Sequence, residues 1–358
     1  MQAFLTGHIY LIGILSFLLG ALFMPVVIRI AKTKGFVVRP NKRMSHDGDI
    51  PNIGGLNICF CFMIAYLLFA PLSQNQFFMI GLFLIMVVGF IDDVLVLRPA
   101  EKLVGETLAG IALIGFADIR ITHLHGLFGV GEIGVIPSYT ISLLVLLAII
   151  NAINLIDGVD GLASGLGILY CIFFAVYFGL SGEMLWAGMA VSLIGVLAVF
   201  FLYNVFGKRD KIFMGDSGSL LLGYLLTTFV FHFCELNAYH LVPEAMYMPA
   251  APGVAICVLT IPLFDAMRVG ITRIKHHRSP FEADKNHIHH LLLRAGLNHI
   301  QTTCVLLCIS CLFIGLGILG RNWNAGLLFA VDFGIATLMT LILWRVINHK
   351  TYPLYANR

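Results

Sequence analysis

Long apolar runs dominate this chain and leave few folds open to it. A helix needs about 20 mostly apolar residues to cross a bilayer, and runs of that length recur from one end of the sequence to the other. Only 11% of the residues are charged, against roughly 25% in soluble domains. The sequence therefore predicts an all-α polytopic membrane protein and excludes a soluble globular core.

The apolar runs divide into about eleven predicted transmembrane helices within a single integral-membrane domain, residues 1–358. The fourth run is short and contains glycine, whereas the others have the length that a bilayer requires. The predicted spans are residues 8–30, 54–71, 77–96, 102–118, 138–156, 162–180, 184–204, 218–235, 251–270, 300–320 and 325–346.

Positive charge is confined to one side of this predicted topology. All of the 22 Lys and Arg residues except Arg120 and Arg321 lie in or beside the odd-numbered loops or in the C-terminal tail. Because cytoplasmic loops carry such an excess, we expect a periplasmic N-terminus and a cytoplasmic C-terminus. The predicted cytoplasmic loops are residues 31–53, 97–101, 157–161, 205–217 and 271–299. Every unusual polar cluster of the chain lies in or beside these loops.

Two adjacent carboxylates, Asp92 and Asp93, interrupt the apolar stretch MVVGFIDDVLVL near the predicted inner interface. Charges within a membrane segment are costly and usually functional. Neighbouring residues on a helix point about 100° apart, so the two carboxylates need not share one ligand. Considered alone, the pair could equally be a solvated helix end that Arg98 and Lys102 neutralise.

A second cluster, NAINLIDGVDGLASG, follows the fifth predicted span and contains Asn151, Asn154, Asp157 and Asp160. The two asparagines are three positions apart and therefore share a helix face. Gly158 permits a close backbone approach. These features favour a loop built around a ligand, and the alternative is a polar turn in which Asp160 caps the next helix.

A third cluster, IFMGDSGS, places Asp216 immediately before an apolar run. Aspartate is a preferred N-cap residue, and a carboxylate is also favoured at the positive end of a helix that faces a charged site. The two interpretations are compatible. Asp216 is therefore predicted to lie at a helix start on the same face as the first two clusters.

The fifth predicted cytoplasmic loop, RIKHHRSPFEADKNHIHHLLLRAG, is basic and rich in histidine. Histidine is a common zinc ligand, and a merely solvated loop is a second alternative. No cysteine accompanies the histidines, and the basic surroundings fit the recognition of phosphate oxygens better. The candidate residues of this loop are Arg278, Lys285, His287, His289 and His290.

Together, the clusters combine carboxylate and amide oxygens with basic side chains. Mg²⁺ is typically held by one or two carboxylates, with waters and substrate phosphates completing its coordination. The sequence therefore suggests Mg²⁺-dependent phosphoryl transfer at the inner membrane face. An ion-coupled transporter is the alternative from another class of protein, but it would place its polar residues near the bilayer midplane.

The order of four motifs makes this chain resemble a known family; the motifs are DDVLVLRPAEK, NAINLIDGVDGLA, IFMGDSGS and SPFEADKNHIHHLLLRAG. Over roughly residues 25–300, the chain resembles the polyprenyl-phosphate N-acetylhexosamine-1-phosphate transferases. The resemblance implies transfer of N-acetylglucosamine 1-phosphate from UDP-GlcNAc to undecaprenyl phosphate, with release of UMP. It implies the first lipid-linked step of O-antigen, lipopolysaccharide or common-antigen synthesis. The HIHH form favours this branch over the alternative, the phospho-MurNAc-pentapeptide translocase of peptidoglycan synthesis.

The resemblance also implies a cofactor, partners and a location. Mg²⁺ is the implied cofactor, and Mn²⁺ is able to substitute for it. The implied partners are UDP-GlcNAc, undecaprenyl phosphate and membrane lipid, with no nucleic acid, and a homodimer is left open. The implied location is the bacterial inner membrane, in which cytoplasmic loops would form the active site.

Residue roles follow from the same resemblance. The positions that match catalytic residues, which handle the lipid phosphate, are Asp92, Asp93 and Lys102. The matching metal ligands are Asn154 and Asp216. The nucleotide side of the site is matched by Asn151, Asp157, Gly158, Asp160, Asn204 and Phe213. The diphosphate and sugar are assigned to Arg278, Lys285, His287, His289 and His290.

Two further positions bear on the resemblance. Many bacterial family members carry a third acidic residue four positions after the first aspartate, where this chain has Val96. A third carboxylate is therefore not essential to the reaction that the resemblance implies. Pro262 is expected to bend the ninth span beside Asp265 and to open a groove for the prenyl chain, because proline disrupts helix hydrogen bonding.

Overall fold

Helices form almost all of the part of the chain that the computed structural model describes, which comprises residues 2–38, 50–70, 72–277 and 286–351. The helices are α1 (Gln2–Lys34), α2 (Gly54–Leu67), α3 (Leu72–Leu95), α4 (Pro99–Ile111), α5 (Val135–Ile156), α6 (Leu162–Leu180), α7 (Met184–Phe206), α8 (Gly215–Ala238), α9 (Ala251–Val258), α10 (Thr260–Lys275), α11 (Ile288–Arg294), α12 (His299–Leu319) and α13 (Ala325–Thr351). Two short antiparallel hairpins pair β1 (Val37–Val38) with β2 (Ile50–Pro51) and β3 (His123–Leu127) with β4 (Val130–Glu132).

Eight of the described helices are long and apolar enough to cross a membrane, namely α1, α3, α5, α6, α7, α8, α12 and α13. The pair α9 and α10 would be a ninth span with a bend of 81°. The remaining two predicted spans contain shorter helices. The first is α2 with 14 residues, and the second is α4 with 13 residues, which a π-helical turn continues over Ala112–Phe116. The predicted polytopic helical membrane protein is confirmed, and the count of eleven crossings stays a prediction.

Helix α8 lies at the centre of the helix assembly, and nearly all of its side chains are buried. It packs against α2, α3, α5 and α6. Glycines permit this packing at the start of α8, because a Cβ on Gly55 or on Gly89 would overlap or press on the backbone around Ser217. Small residues let neighbouring helix backbones approach closely in membranes. The start of α8 is therefore fixed against the end of α3, which carries Asp92 and Asp93.

The break between α9 and α10 lies at Leu259, three residues before Pro262. Proline has no N–H, and its ring clashes with the carbonyl four positions earlier, here that of Val258. The bend therefore lies one turn before the proline that predicts it. The first residue of α10 is hydrogen-bonded to another helix, since the Thr260 hydroxyl donates to Asp332 Oδ1 of α13 at 2.8 Å.

Candidate active site

The ammonium group of Lys102 is surrounded by oxygen atoms from three other helices. Lys102 Nζ lies 3.0 Å from Asp92 Oδ2 of α3 and 3.1 Å from Asp216 Oδ2 of α8. It also donates to Asn154 Oδ1 of α5 at 3.2 Å. The carboxyl ends of α3 and α5 and the amino ends of α4 and α8 thus meet around one cation. The catalytic lysine and both metal ligands implied by the resemblance are in contact.

Asp93 caps the start of α8. Its Oδ1 accepts the backbone N–H of Asp216 at 2.7 Å, and its Oδ2 accepts that of Ser217 at 3.0 Å. The Asn52 amide adds a third hydrogen bond to Oδ1 at 3.0 Å. Free N–H groups at a helix start attract a carboxylate. The adjacent aspartates therefore hold different partners, as their 100° separation on the helix allows.

The chain leaves α3 through a turn that Asp92 stabilises. Asp92 Oδ1 accepts the backbone N–H of Leu97 at 2.7 Å. Val96 has a φ of 54°, which is unusual for a β-branched residue, and its side chain is 83% exposed. This turn brings α4 back beside α3, so that Lys102 reaches Asp92. Val96, which stands where many family members carry a third acid, thus forms part of the turn between α3 and α4.

A cleft of about 770 Å³ opens beside the Lys102 cluster. Its volume falls within the usual range of ligand-binding pockets. Ten of the residues predicted from the sequence line it, and these are Asp92, Asp93, Asn154, Asp157, Gly158, Asp160, Asn204, Phe213, Asp216 and His290. The remaining lining residues are Val38, Asn52, Val96, Val159, Met214, Gly215, Leu293 and His299.

Two basic residues that sequence reasoning missed hold Asp160 at one side of this cleft. Lys211 Nζ lies 2.7 Å and His299 Nδ1 lies 3.1 Å from Asp160 Oδ2. Burial acts to raise the pKa of Asp160, but the hydrogen bonds from His299 and Lys211 hold it below its usual value. Lys211 Nζ also lies 5.7 Å from the ring centroid of Phe213. An aromatic face and an ionised carboxylate thus lie side by side.

Asp157 also lines the cleft, but its pKa is shifted in the opposite direction from that of Asp160. Burial raises its pKa to about 7, and the negative charges of Asp216, Asp93 and Asp160 act in the same direction. Removing a carboxylate from water disfavours its charged form, and like charges nearby add to that cost. Two predicted nucleotide-side carboxylates only three positions apart therefore have pKa values shifted in opposite directions.

The two asparagines predicted on the nucleotide side, Asn204 and Asn151, form hydrogen bonds through their side-chain amides to other parts of the chain. Asn204 accepts the Gly161 N–H at 2.6 Å and donates to the Ile212 carbonyl at 2.8 Å. It therefore braces the loop after α5 against the loop after α7. Asn151 donates to Glu106 Oε2 of α4 at 2.6 Å and does not line the cleft. Sequence reasoning missed Glu106, although its spacing of four from Lys102 places both on one helix face.

The histidine motif is anchored by Asp265 of α10. Asp265 Oδ2 lies 2.8 Å from His287 Nδ1, and Oδ1 accepts the backbone N–H of Ile288 at 2.9 Å. Arg268 adds an ion pair to Oδ1 at 2.7 Å. These contacts fix the start of α11. The aspartate beside the bend thus positions the histidines, a connection that the sequence spacing alone did not reveal.

The three histidines of HIHH have different positions around the cleft. His289 is 1% exposed, and its ring packs against Gly158, where a Cβ would lie 2.5 Å from His289 Nε2. Burial, and then the neighbouring His290, lower the pKa of His289 to about 3. Of the three, His290 is the one that lines the cleft. Arg278 and Lys285, assigned to the same subsite, lie outside the described residues.

The oxygens around Lys102 have the chemistry of a hard-cation site. We call Asp92 Oδ2, Asn154 Oδ1 and Asp216 Oδ2 the three-oxygen site. Carboxylate and amide oxygens are ligands that Mg²⁺ accepts, with waters and phosphates completing its shell, and here they already surround a positive charge. Among the described residues there is no group of three or more His, Cys, Asp or Glu side chains that could hold a metal. The two carboxylates and the amide of the three-oxygen site are nevertheless a donor set that Mg²⁺ accepts.

A polytopic helical membrane protein with a mixed acidic and basic cleft is consistent with a phosphoryl-transfer enzyme, and comparison with known proteins gives its class. Residues 75–233 match the family model described as glycosyl transferase family 4, a range that contains the whole Lys102 cluster. The chain belongs to this family, as the resemblance in its motifs predicted, because relatives that are 30% and 31% identical match about nine-tenths of its length.

Individual relatives have a more specific name. The undecaprenyl-phosphate alpha-N-acetylglucosaminyl 1-phosphate transferase of Haemophilus influenzae is 30% identical over 92% of this chain and 93% of the relative. The relative of the same name from Pasteurella multocida is 31% identical over 89% of each chain. That from Yersinia pestis is 29% identical over 92% of this chain and 91% of the relative.

Proposed function

We propose that this chain transfers N-acetylglucosamine 1-phosphate from UDP-GlcNAc to undecaprenyl phosphate, giving undecaprenyl-diphospho-GlcNAc and UMP. The observation that carries the proposal is the meeting of Asp92, Lys102, Asn154 and Asp216 beside a polar cleft at one end of the apolar helices. The relatives that match about nine-tenths of the chain are named for this transfer.

The proposed setting is the bacterial inner membrane, with eleven crossings, a periplasmic N-terminus and the cleft on the cytoplasmic side. The distribution of positive charge supports this orientation, since all Lys and Arg residues except Arg120 and Arg321 belong to the predicted cytoplasmic side. A cytoplasmic cleft would meet a nucleotide sugar in solution and a lipid phosphate at the membrane surface. The proposed pathway is O-antigen or common-antigen synthesis.

The reaction exchanges one phosphoanhydride for another, so catalysis depends mainly on positioning and on charge stabilisation. Mg²⁺, held by Asn154 and Asp216 with Asp92 Oδ2 as the third oxygen of the site, would neutralise charge on the donor diphosphate, and Mn²⁺ would substitute for it. Lys102 would contact a phosphate oxygen. These residues contact one another beside the cleft, so the two phosphates would meet there for transfer.

Asp92 is the aspartate we assign to the lipid phosphate. Its Oδ2 faces Lys102, whereas both oxygens of Asp93 accept backbone N–H groups of α8. A phosphate monoester has a second pKa near 6, so most of the acceptor already carries two negative charges at neutral pH. Two anions repel one another, so Asp92 Oδ2 would hold the acceptor phosphate only through a cation beside it, the Lys102 ammonium group or Mg²⁺. It would take up the remaining proton when one is present.

The opposite side of the cleft is assigned to the donor. The Phe213 ring and the Asp160–Lys211 pair offer a stacking surface and polar partners to the uridine. Asp157 and Gly158 line the cleft as well, and His290, which also lines it, is assigned to the diphosphate and sugar. The resemblance assigns Arg278 and Lys285, which lie outside the described residues, to the same subsite. Asn151, Asn204, His287 and His289 support these groups through the contacts described above.

Release of UMP by the purified chain tests this proposal. With Mg²⁺ and undecaprenyl phosphate, UDP-GlcNAc should give UMP, whereas UDP-MurNAc-pentapeptide should not. Activity with the pentapeptide donor alone would favour the peptidoglycan translocase instead. No release with either donor, together with solute flux in vesicles, would favour the transporter.

The Asp216→Asn substitution tests the metal assignment within this assay. We expect turnover to fall by at least roughly 100-fold, because one carboxylate of the three-oxygen site is lost. The exposed Asp118, which pairs with Arg120, provides the matched control Asp118→Asn, which should retain activity. An Asp216→Asn enzyme with normal rate and normal Mg²⁺ dependence would remove Asp216 from the metal site.

A further inference from the structure

Glu106 is a fully buried carboxylate, and the described part of the structure leaves one of its two oxygens without a hydrogen bond. It is 0% exposed, and its Oε2 accepts the Asn151 amide at 2.6 Å. Among the residues that the structure describes, its Oε1 has no hydrogen-bond partner. An unsatisfied buried carboxylate oxygen is costly, and the contact with Asn151 uses only Oε2.

Helices α4 and α5 are joined by two side-chain contacts, one turn apart. Lys102 and Glu106 are four positions apart on α4, and Asn154 and Asn151 are three positions apart on α5, so each pair shares a helix face. Lys102 contacts Asn154, and Glu106 contacts Asn151. Glu106 therefore lies on the face that carries the Lys102 side chain, one turn further along α4.

The three-oxygen site is occupied by one cation, the Lys102 ammonium group. Lys102 Nζ lies within 3.2 Å of all three oxygens, the position that a divalent cation bound by the same oxygens would take. Two cations only a few ångströms apart repel strongly in a site of low dielectric constant. Binding of a divalent cation therefore requires the ammonium group to move, and a buried ammonium needs another acceptor.

We propose that Lys102 and a divalent cation are alternative occupants of the three-oxygen site, and that Glu106 Oε1 receives the displaced ammonium group. Without metal, the ammonium keeps the carboxylates of Asp92 and Asp216 from repelling one another. With metal, it pairs with Glu106 and stays on the same face of α4, from which it can contact a substrate phosphate. The inference rests on the proposed metal dependence and makes Glu106 a positioning residue.

Binding of Mn²⁺ alone to the purified full-length chain, measured from the paramagnetic resonance signal of free Mn²⁺, tests the proposal without substrate. Lys102→Met removes the competing ammonium and should tighten Mn²⁺ binding by roughly tenfold or more. Glu106→Gln keeps the shape of the side chain but weakens the pairing with Lys102, and it should weaken binding by roughly 10- to 100-fold, as loss of groups around metal ligands does. Glu132→Gln, an exposed control in β4, should bind like the parent chain.

The double variant Lys102→Met/Glu106→Gln separates this exchange from a simple field effect of Glu106. If Glu106 acts by receiving the ammonium, its replacement should have no effect once Lys102 is absent, which is a non-additive result. An equal loss in both backgrounds, or weaker Mn²⁺ binding in Lys102→Met, would overturn the proposal. Because substrate is absent, failure of the proposed transfer reaction leaves this result unchanged. Parent-like circular dichroism and gel-filtration profiles are required of each variant.

Discussion

At the scale of the residue, the adjacent Asp92 and Asp93 have different roles, because Asp92 belongs to the proposed catalytic cluster and Asp93 stabilises the fold. Asp92 pairs with Lys102, while Asp93 accepts two backbone N–H groups at the start of α8. The sequence predicts a functional pair only when the other polar clusters and the resemblance are added, because the pair alone could equally be a solvated helix end. It could not assign each member, since that depends on the rotation of α3 against α8.

The capping role of Asp93 predicts a stability defect that is separable from catalysis. Asp93→Ala leaves two helix-start N–H groups without an acceptor and should lower the free energy of unfolding by roughly 2–3 kcal/mol. Asp93→Asn keeps one acceptor oxygen and should recover part of this loss. Unfolding in detergent, followed by circular dichroism, measures the stability of both variants, with Asp118→Ala as the control. Equal stability of Asp93→Ala and this control would rule out the capping role of Asp93.

The burial of His289 predicts a pH dependence of stability. Its pKa is about 3 in the folded chain, whereas an unfolded histidine titrates near 6.5. Between these values the unfolded chain binds a proton that the folded chain does not, so this contribution is complete above about pH 6.5 and is lost as the pH falls. The loss should reach about 2 kcal/mol at pH 5.

Replacing His289 should remove this part of the pH dependence. His289→Gln does not titrate, so its melting temperature should change less between pH 7 and pH 5 than that of the parent chain, whatever its stability at pH 7. The exposed His276 supplies the matched control, His276→Gln. Parallel melting curves for His289→Gln and the parent over this range would show that His289 is not held neutral.

At the scale of the element, the bend between α9 and α10 depends on a contact as well as on Pro262. The Thr260 hydroxyl donates to Asp332 Oδ1, and both residues are buried. Thr260→Val keeps the shape but removes the donor, so the free energy of unfolding should fall by roughly 1–3 kcal/mol. Thr337→Val removes an exposed hydroxyl that bonds its own helix and should cost little in a thermal melt. An equally small effect at Thr260 would leave proline as sufficient cause of the bend.

The helices could be predicted from the sequence, but the contacts between their ends could not. Each predicted span contains a helix in the described residues, because hydropathy over 20 residues is a strong signal. The pairing of Asp160 with Lys211 and His299 joins residues 51 and 139 positions away, which no local pattern encodes. The anchoring of His287 by Asp265 is non-local in the same way.

At the scale of the whole molecule, polar side chains from α3, α4, α5, α8 and α11 gather at one end of an otherwise apolar assembly. The sequence predicts this gathering, since four motifs fall on one side of a single topology. It does not predict that Lys102 contacts both proposed metal ligands, because that contact depends on four helix ends meeting. The central claim is therefore that these ends form one phosphoryl-transfer site.

Transfer from UDP-GlcNAc labelled with ³H in the sugar and ³²P in the β-phosphate tests that claim most directly. The purified chain, with Mg²⁺ and undecaprenyl phosphate, should move both labels into the lipid extract in a ratio of about 1:1, because the bond broken lies between the two phosphates. Lys102→Met should lower both labels together. Transfer of ³H without ³²P, or no labelled lipid from a folded and metal-loaded chain, would contradict the account.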